Sequence, residues 1–482
     1  MRHFDLCVIG SGPAGQKAAI QAAKLGKRVC VVEKKSVVGG AAINTGTIPS
    51  KSLREAILHM VSGQRLDPYT NAFGAVGSHG VSPDTARDGR IQDLITWCNR
   101  VISAEVEVAT RSLLANEISL LRGMASFEDA HSVRVEDEAG RTEVLSADRF
   151  VIAVGTRPAQ PANVPFDGAN VVDSDGFLKL PRLPRSLIVV GGGVIGTEYA
   201  SMMQALGVRT TLIEGKTRLL DFLDSEISEA LQYHLRQAGM TLRMGEKVVK
   251  TEIVEKPDGA RASDDLMVQA TLESGKTLLA DCLLYCIGRQ GATGGLNLEK
   301  AGLKADDRGR IKVNESYQTE VEHIYACGDV IGFPALASTS MEQGRVAACH
   351  MFGERCESVA NLFPYGIYAI PEMSMVGWTE EQLTKEGIPF EAGIAQYKEI
   401  ARSQLMGDET GMLKLLIHQD SRAILGVHVI GAGATELIHI GQAVMAFQGT
   451  VDYFINAVFN YPTLAECYKV AAFNGANKLR HV

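Results

Sequence analysis

The sequence is short of the features that mark several protein classes. No apolar run reaches 18 residues, so no segment has the length of a membrane-spanning helix. No run of Lys and Arg is present that could track a phosphate backbone. With a net charge of −8 and a pI of about 5.8, the composition argues against a nucleic-acid partner. The 11 histidines form no HExxH-type or His/Cys cluster, and no metal site is expected. His439 falls in an apolar helical stretch and reads as a packed histidine. A secreted disulfide framework is also missing. The nine cysteines are odd in number and scattered between Cys7 and Cys467. Cys282 and Cys286 lie in DCLLYCIG, which reads as a strand. Four residues of strand span about 13 Å, too far for a disulfide. All nine cysteines are therefore expected to pack. The opening stretch MRHFDLCVIGSGPAG enters a glycine turn too early for a signal peptide, and a cytoplasmic location is expected.

Glycine, by contrast, is abundant at 49 residues, and in an α/β protein the excess often sits in nucleotide-binding turns. The 482 residues suffice for about three domains at roughly 150 residues each. Residues 4–10 (FDLCVIG) read as a buried strand, followed by a helix from Pro13 to Leu25 and a second strand at 28–33, a βαβ unit. Residues 186–214 repeat that plan, with a helix ending at Leu206. Residues 63–90 read as a long polar loop and 256–265 as a hairpin tip. After about residue 346, strands MLKLLIH and AILGVHVI and the helix TELIHIGQAVMAF point to a separate α+β domain.

The first glycine motif is Gly10-Ser11-Gly12-Pro13-Ala14-Gly15. Its first glycine permits a tight turn, the second lets backbone approach a pyrophosphate, and the third allows close helix–strand packing. The pyrophosphate would rest on the N-terminus of the next helix. Glu33, 18 residues beyond Gly15, can accept from a ribose hydroxyl. The second motif, Gly191-Gly192-Gly193-Val194-Ile195-Gly196, has Glu214 at the same interval, so two dinucleotides are implied. Glu214 favours a free ribose 2′-hydroxyl and NAD. Lys216 and Arg218 could instead meet a 2′-phosphate, which leaves both NAD and NADP open. A third motif, TEVEHIYACGD at 319–329, runs an apolar strand into Gly328-Asp329, where a carboxylate can hold a polyol. A fourth, VIAVGTRP at 151–158, is a buried strand leaving the first domain.

Together with GG(x)5GxIPSK at 39–51 and a C-terminal PTxxE, these motifs resemble the flavoprotein disulfide reductases, which include lipoamide dehydrogenase and glutathione reductase. The resemblance spans nearly the whole chain. It implies two Rossmann-like dinucleotide-binding domains plus a C-terminal α+β dimerisation domain. The expected division is FAD domain 1–155, NAD(P) domain 156–278, FAD domain again 279–348, and interface domain 349–482. The resemblance implies FAD contacts at Gly10, Gly12, Pro13, Ala14, Gly15, Glu33, Lys34, Gly39, Gly40, Ala42, Thr47, Lys51, Ala125, Gly155, Asp329 and Ala337. It implies nicotinamide-dinucleotide contacts at Gly191, Gly193, Val194, Ile195, Gly196 and Glu214.

Two departures from the family decide the expected chemistry. The family's redox motif reads GGxCxxxxCIPSK, and here Ala42 and Thr47 stand where the two cysteines belong. The family's His-Pro acid/base pair is here Tyr461-Pro462, while Glu466 is retained. Tyrosine, with an ordinary pKa near ~10, is a poor proton shuttle at neutral pH. Thiol chemistry and its base are thus both missing. Stretches such as GTIPSK, GVIGTEYAS, RLLDFLD and FNYPTLAECYKVAAFNG are similar to the soluble pyridine nucleotide transhydrogenases. Two differences from that group are Ala41-Ala42, where one cysteine is often kept, and the acidic Glu214.

The resemblance implies a homodimeric enzyme, with higher homo-oligomers known in the group. It would move hydride between NADPH and NAD through FAD by a ping-pong route. Lys51 is expected near the flavin N5 with Glu198 beside it, and Tyr461 and Glu466 are expected to reach the partner's flavin pocket. An NAD(P)H oxidase or quinone reductase (diaphorase), or a dihydrolipoamide-dehydrogenase-like flavoprotein, is the alternative enzyme, and a non-enzymatic FAD-binding scaffold the alternative outside catalysis.

Overall fold

The computed structural model describes residues 2–65, 83–180, 182–256, 266–356 and 362–479. Continuous apolar runs such as SLIVV form strands buried on both faces, as the centre of a parallel sheet requires. In the first sheet, Ser119–Arg122, Val29–Glu33, Arg2–Ile9 and Thr142–Ile152 lie side by side in parallel. Ser132–Glu136 and Met124–Asp129 extend it antiparallel. Ile324–Ala326, from much later in the chain, completes it alongside Thr142–Ile152.

The second sheet is wholly parallel. Its order is Thr241–Met244, Arg209–Glu214, Ser186–Val190, Cys282–Tyr285, Val171–Asp173. Beside it, Val248–Glu255, Leu266–Leu272 and Thr277–Ala280 form an antiparallel sheet. The expected hairpin tip at 256–265 joins the first two of these strands, and its residues 257–265 lie outside the described ones. Because Cys282–Tyr285 pairs with Ser186–Val190, the second unit continues past residue 278. The chain re-enters the first unit through Arg289–Gly291, paired antiparallel with the outgoing Thr156–Pro158. The last helix of the first unit runs to Met351, beyond the boundary expected at 348. A boundary carried over from a resemblance misses such crossings, because strand pairing partners are set by this chain's own topology.

The C-terminal unit is a five-stranded antiparallel sheet, ordered Tyr365–Ile367, Met373–Gly377, Ile424–Gly431, Gly411–His418, Phe390–Gln396. Helices Ala434–Ala446 and Glu466–Leu479 cover it. The polar loop expected over 63–90 falls largely outside the described residues, but the flanking helices extend into it, to Arg65 and from Pro83. Among the described residues no helix is long and apolar enough to cross a membrane.

Helix Pro13–Lys24 packs tightly on helix Ala337–Met351. A Cβ at Gly344 would lie 2.1 Å from the Ala14 carbonyl oxygen. Gly344→Ala therefore forces the two helices apart, and overpacking of this kind costs about 1–3 kcal/mol. Since one helix opens at the first glycine turn and the other just after Asp329, the variant is expected to lose FAD more readily on dialysis. Unchanged FAD retention together with an unchanged melting temperature would refute that close packing.

Candidate active site

Both glycine motifs fold as strand–turn–helix. Gly10 (φ 104°) and Gly191 (φ 107°) occupy positive φ, which suits residues without a Cβ. A Cβ at Gly15 would lie 2.0 Å from the Gly10 carbonyl oxygen, and one at Gly196 1.9 Å from that of Gly191. The middle glycines differ. A Cβ at Gly193 would meet nothing within 4 Å, and one at Gly12 only the Gly40 Cα at 4.0 Å. Their bareness serves the approach of a ligand rather than internal packing. Gly12 and Gly193 are also the N-caps of helices Pro13–Lys24 and Val194–Ala205, and no side chain caps either helix. The first-turn N–H groups of Ala14 and Gly15, and those of Val194, Ile195 and Gly196, are left without a side-chain partner, where a pyrophosphate could rest; Pro13 has no N–H to offer. These residues fit two dinucleotides.

Glu33 closes its strand buried, accepting from the Ser11 N–H at 3.0 Å, the Ser11 hydroxyl at 2.5 Å and the Lys35 N–H at 2.9 Å. Glu214 closes the matching strand of the second unit half-buried, accepting from the Gly192 N–H at 2.6 Å and the Lys216 N–H at 2.8 Å. Each carboxylate therefore braces its glycine turn. Removing Glu214 disturbs the turn for any dinucleotide, so its effect does not separate NAD from NADP.

Lys51 lies in the first turns of helix Thr47–Arg65, and Glu198 is on helix Val194–Ala205 of the second unit. Lys51 Nζ lies 2.9 Å from Glu198 Oε1 and 2.7 Å from Oε2, and 3.3 Å from the Ser50 hydroxyl. The Glu198 side chain is 4% exposed and that of Lys51 is 24% exposed. Sequence reading missed Tyr368 of the C-terminal unit. Its N–H donates to Glu198 Oε1 at 2.9 Å, and its ring lies 4.9 Å from Lys51 Nζ. All three units thus converge on one ammonium group. Only the covalent neighbours of Tyr368 are visible in the sequence, and they carry no recognisable signal.

Earlier in the chain than Lys51 come Gly39 and Gly40, both at positive φ, Ala42 in helix Gly40–Asn44, and Thr47; a Cβ at Gly40 would lie 2.8 Å from the Gly12 Cα of the first glycine turn. Ala42 and Thr47 are half-buried, and neither offers a thiol. All nine cysteines are free; seven are buried, while Cys286 and Cys356 are half-buried. Asp329 accepts from Thr156 at 3.3 Å and Ser340 at 3.5 Å, joining the two ends of the first unit beside Gly155. Ala337 opens its helix. Lys34 is exposed next to Glu33. Ala125 has its side chain buried in the core, so any contact it makes is through main chain.

Tyr461 and Glu466 lie apart, in the C-terminal unit. Tyr461 is 74% exposed. Glu466 begins helix Glu466–Leu479 with a buried Oε2 that has no hydrogen-bond partner among the described residues. His439 is exposed on its helix and paired with Gln442 at 2.8 Å, contrary to the expectation that it packs inside. The core histidine among the described residues is His428, on strand Ile424–Gly431, which is buried on both faces. Among the described residues no group of His, Cys, Asp and Glu is arranged to hold a metal.

Residues 4–344 match the pyridine nucleotide-disulphide oxidoreductase family, and residues 363–472 match the dimerisation domain of that family. A soluble pyridine nucleotide transhydrogenase of Mycobacterium tuberculosis is 49% identical over 481 residues, covering 100% of this chain and 98% of that protein. Proteins of the same name from Photobacterium profundum and Vibrio cholerae are 45% and 44% identical, each over 99% of this chain and over 98% and 99% of their own lengths. Among solved structures, LpdA of Mycobacterium tuberculosis superposes with a TM-score of 0.85 at 23% identity, over 98% of this chain and 99% of that one. The HOCl-induced flavoprotein disulfide reductase RclA of Escherichia coli gives 0.82 at 27% identity, over 96% and 98%. The chain belongs to the pyridine nucleotide-disulphide oxidoreductase family and, within it, to the soluble pyridine nucleotide transhydrogenases.

Proposed function

We propose that this protein is an FAD-dependent transhydrogenase that passes hydride between NADPH and NAD without a redox disulfide. One observation carries the reading: Ala42 and Thr47 replace both thiols, while the second dinucleotide turn and the Lys51–Glu198 pair are intact. Full-length relatives that bear the transhydrogenase name support it. Bound FAD supplies a centre that takes hydride from one nicotinamide and returns it to another.

The chain's own groups position and polarise. The first turn, with Gly12, Ala14, Glu33 and Asp329, holds FAD. The second, with Gly193, Ile195 and Glu214, holds either nucleotide in turn. Lys51 keeps a positive charge where negative charge gathers on transfer, and Glu198 fixes its position. With no thiol on the opposite face, the second nucleotide is the acceptor left to the enzyme. The C-terminal unit forms a homodimer, bringing Tyr461 and Glu466 toward the partner's pocket. Val458 at 96% exposure and Phe447 at 87% support such a covered face. The enzyme works in the cytoplasm.

The test is anaerobic. NADPH should abolish the oxidised flavin absorbance, and NAD added after removal of excess NADPH should restore it. Recovery with quinone or air but not with NAD would make the protein a diaphorase or oxidase. Flavin absorbance unmoved by either nucleotide would leave only an FAD-binding scaffold.

A further inference from the structure

Between strand Arg209–Glu214 and helix Ser225–Gln237 runs the loop that follows Glu214, the residue expected at the adenosine ribose. An open cleft of about 650 Å³ lies against it, lined by Lys216, Arg218, Asp221 and Glu229 among others. Both of these cations are already engaged by carboxylates. Lys216 Nζ is 2.7 Å from Asp221, on the same loop. Arg218 Nη1 is 3.2 Å from Glu381 Oε1, which belongs to helix Glu380–Glu386 of the C-terminal unit. Arg218 also donates weakly to the Asp221 carbonyl, at 3.4 Å.

We propose that Glu381 is a specificity-determining residue, holding Arg218 while a 2′-hydroxyl nucleotide is bound and yielding it to a 2′-phosphate. This rests on the reading that one pocket takes both NAD(H) and NADP(H). Such a pocket must meet a neutral hydroxyl in one half-reaction and a phosphate dianion at the same place in the other. Glu214, locked into the turn, opposes the dianion in every state. Compensating charge must therefore come and go. Arg218 can supply it, because the partly exposed Arg218–Glu381 pair, with side chains 27% and 43% exposed, is of the weak, screened kind. A phosphate dianion matches the guanidinium fork better than the one carboxylate oxygen and the distant carbonyl Arg218 now meets.

Glu381 also tolerates the departure of Arg218. Its Oε1 accepts the Ser225 N–H at 3.0 Å, so the carboxylate stays hydrogen-bonded when the guanidinium swings away. Burial would raise its carboxyl, but its own N–H, Ser225 and Thr379 outweigh that and hold it below the usual range. Glutamine keeps the accepting oxygen for Ser225 while removing the charge.

The test is calorimetric titration of the FAD-loaded protein with 2′,5′-ADP and with 5′-AMP, which share everything but the 2′-phosphate. Glu381→Gln should tighten 2′,5′-ADP roughly two- to fivefold and leave 5′-AMP unchanged. Arg218→Ala should weaken 2′,5′-ADP by about tenfold or more, and adding Glu381→Gln to it should change nothing further. Equal tightening of both ligands, or an effect of Glu381→Gln that survives without Arg218, would overturn the proposal. So would normal 2′,5′-ADP binding that Glu381→Gln does not alter, with the two-nucleotide reading left standing. Failure of the unmodified protein to bind 2′,5′-ADP while binding 5′-AMP would remove the two-nucleotide reading and the proposal together.

Discussion

Lys51→Met is expected to slow hydride transfer from NADPH to the bound flavin by about 10²–10³-fold, the usual loss when one preorganised charge is removed. The substituted side chain keeps the length and most of the volume, so FAD content and melting temperature should change little. Stopped-flow flavin reduction with saturating NADPH isolates the step, and the loss should fall on the rate constant rather than on nucleotide affinity. Glu198→Gln probes the same charge indirectly. It keeps an acceptor for the Tyr368 N–H but not the carboxylate that holds Lys51 Nζ at 2.7 and 2.9 Å. Its expected effect is smaller, because the ammonium remains but is less well placed. Glu198 is in this sense a positioning residue. A Lys51→Met enzyme that reduces flavin within twofold of the unmodified rate would remove Lys51 from the mechanism.

The second large effect concerns stability. Lys414 lies in the middle of strand Gly411–His418, its side chain 1% exposed. Its Nζ is 2.8 Å from Asp224, 2.9 Å from Glu226 and 2.8 Å from Glu380. Asp224 and Glu226 belong to the second unit and Lys414 to the C-terminal one, so the cluster clamps the two together. The Asp224 side chain is fully buried. Lys414→Ala leaves that carboxylate uncompensated, and breaking such a pair costs about 3–5 kcal/mol. Lys414→Met should be nearly as harmful, since it too strands Asp224. Adding Asp224→Asn to Lys414→Met should recover much of the loss in urea midpoint. A double variant no better than Lys414→Met alone would refute the stranded-charge explanation.

The same cluster gives acid sensitivity a direction. His428 is buried beside Asp224. Its Nε2 donates to the Trp378 carbonyl at 2.8 Å, and its Nδ1 has no partner among the described residues. Burial holds its pKa below the ordinary value against the pull of Asp224, so the folded ring is neutral at pH 7. The unfolded ring takes a proton below about pH 6.5, and stability falls as pH drops from there towards the folded pKa. Asp224 acts later. Burial raises its carboxyl, but His428 and Lys414 outweigh that and hold it low. With the ring neutral at pH 7, Lys414 carries the depression there. Its contribution is complete above the unfolded value near ~4 and is lost below that. Between pH 7 and 5 His428 is the member of this cluster that titrates, and His234, whose pKa burial also lowers, adds to the fall. His428→Gln should flatten the fall in melting temperature across that window, and an unchanged slope would exclude the ring as its source.

Much of this protein is legible in sequence, for local reasons. The two glycine turns need their residues at fixed spacing because each Cβ position is filled by a neighbour a few residues away, as at Gly15 and Gly196. The acidic residue closing the next strand follows from the same short unit. Replacement of both thiols is a matter of reading Ala42 and Thr47 in place. These features bound the chemistry before any coordinates exist.

What the tertiary structure decided lies wherever side chains meet across long separations. Lys51 and Glu198 are 147 residues apart, and Tyr368 comes from a third unit. Their convergence is a product of how three sheets pack, for which no periodicity codes. The re-entry of the chain after Tyr285 depends on which strand pairs with Ser186–Val190, a long-range choice. Lys414 and His428 look like ordinary surface residues in their strands, and His439 like a core one. The face of each was set by what packs against it, and that is information a linear pattern does not hold.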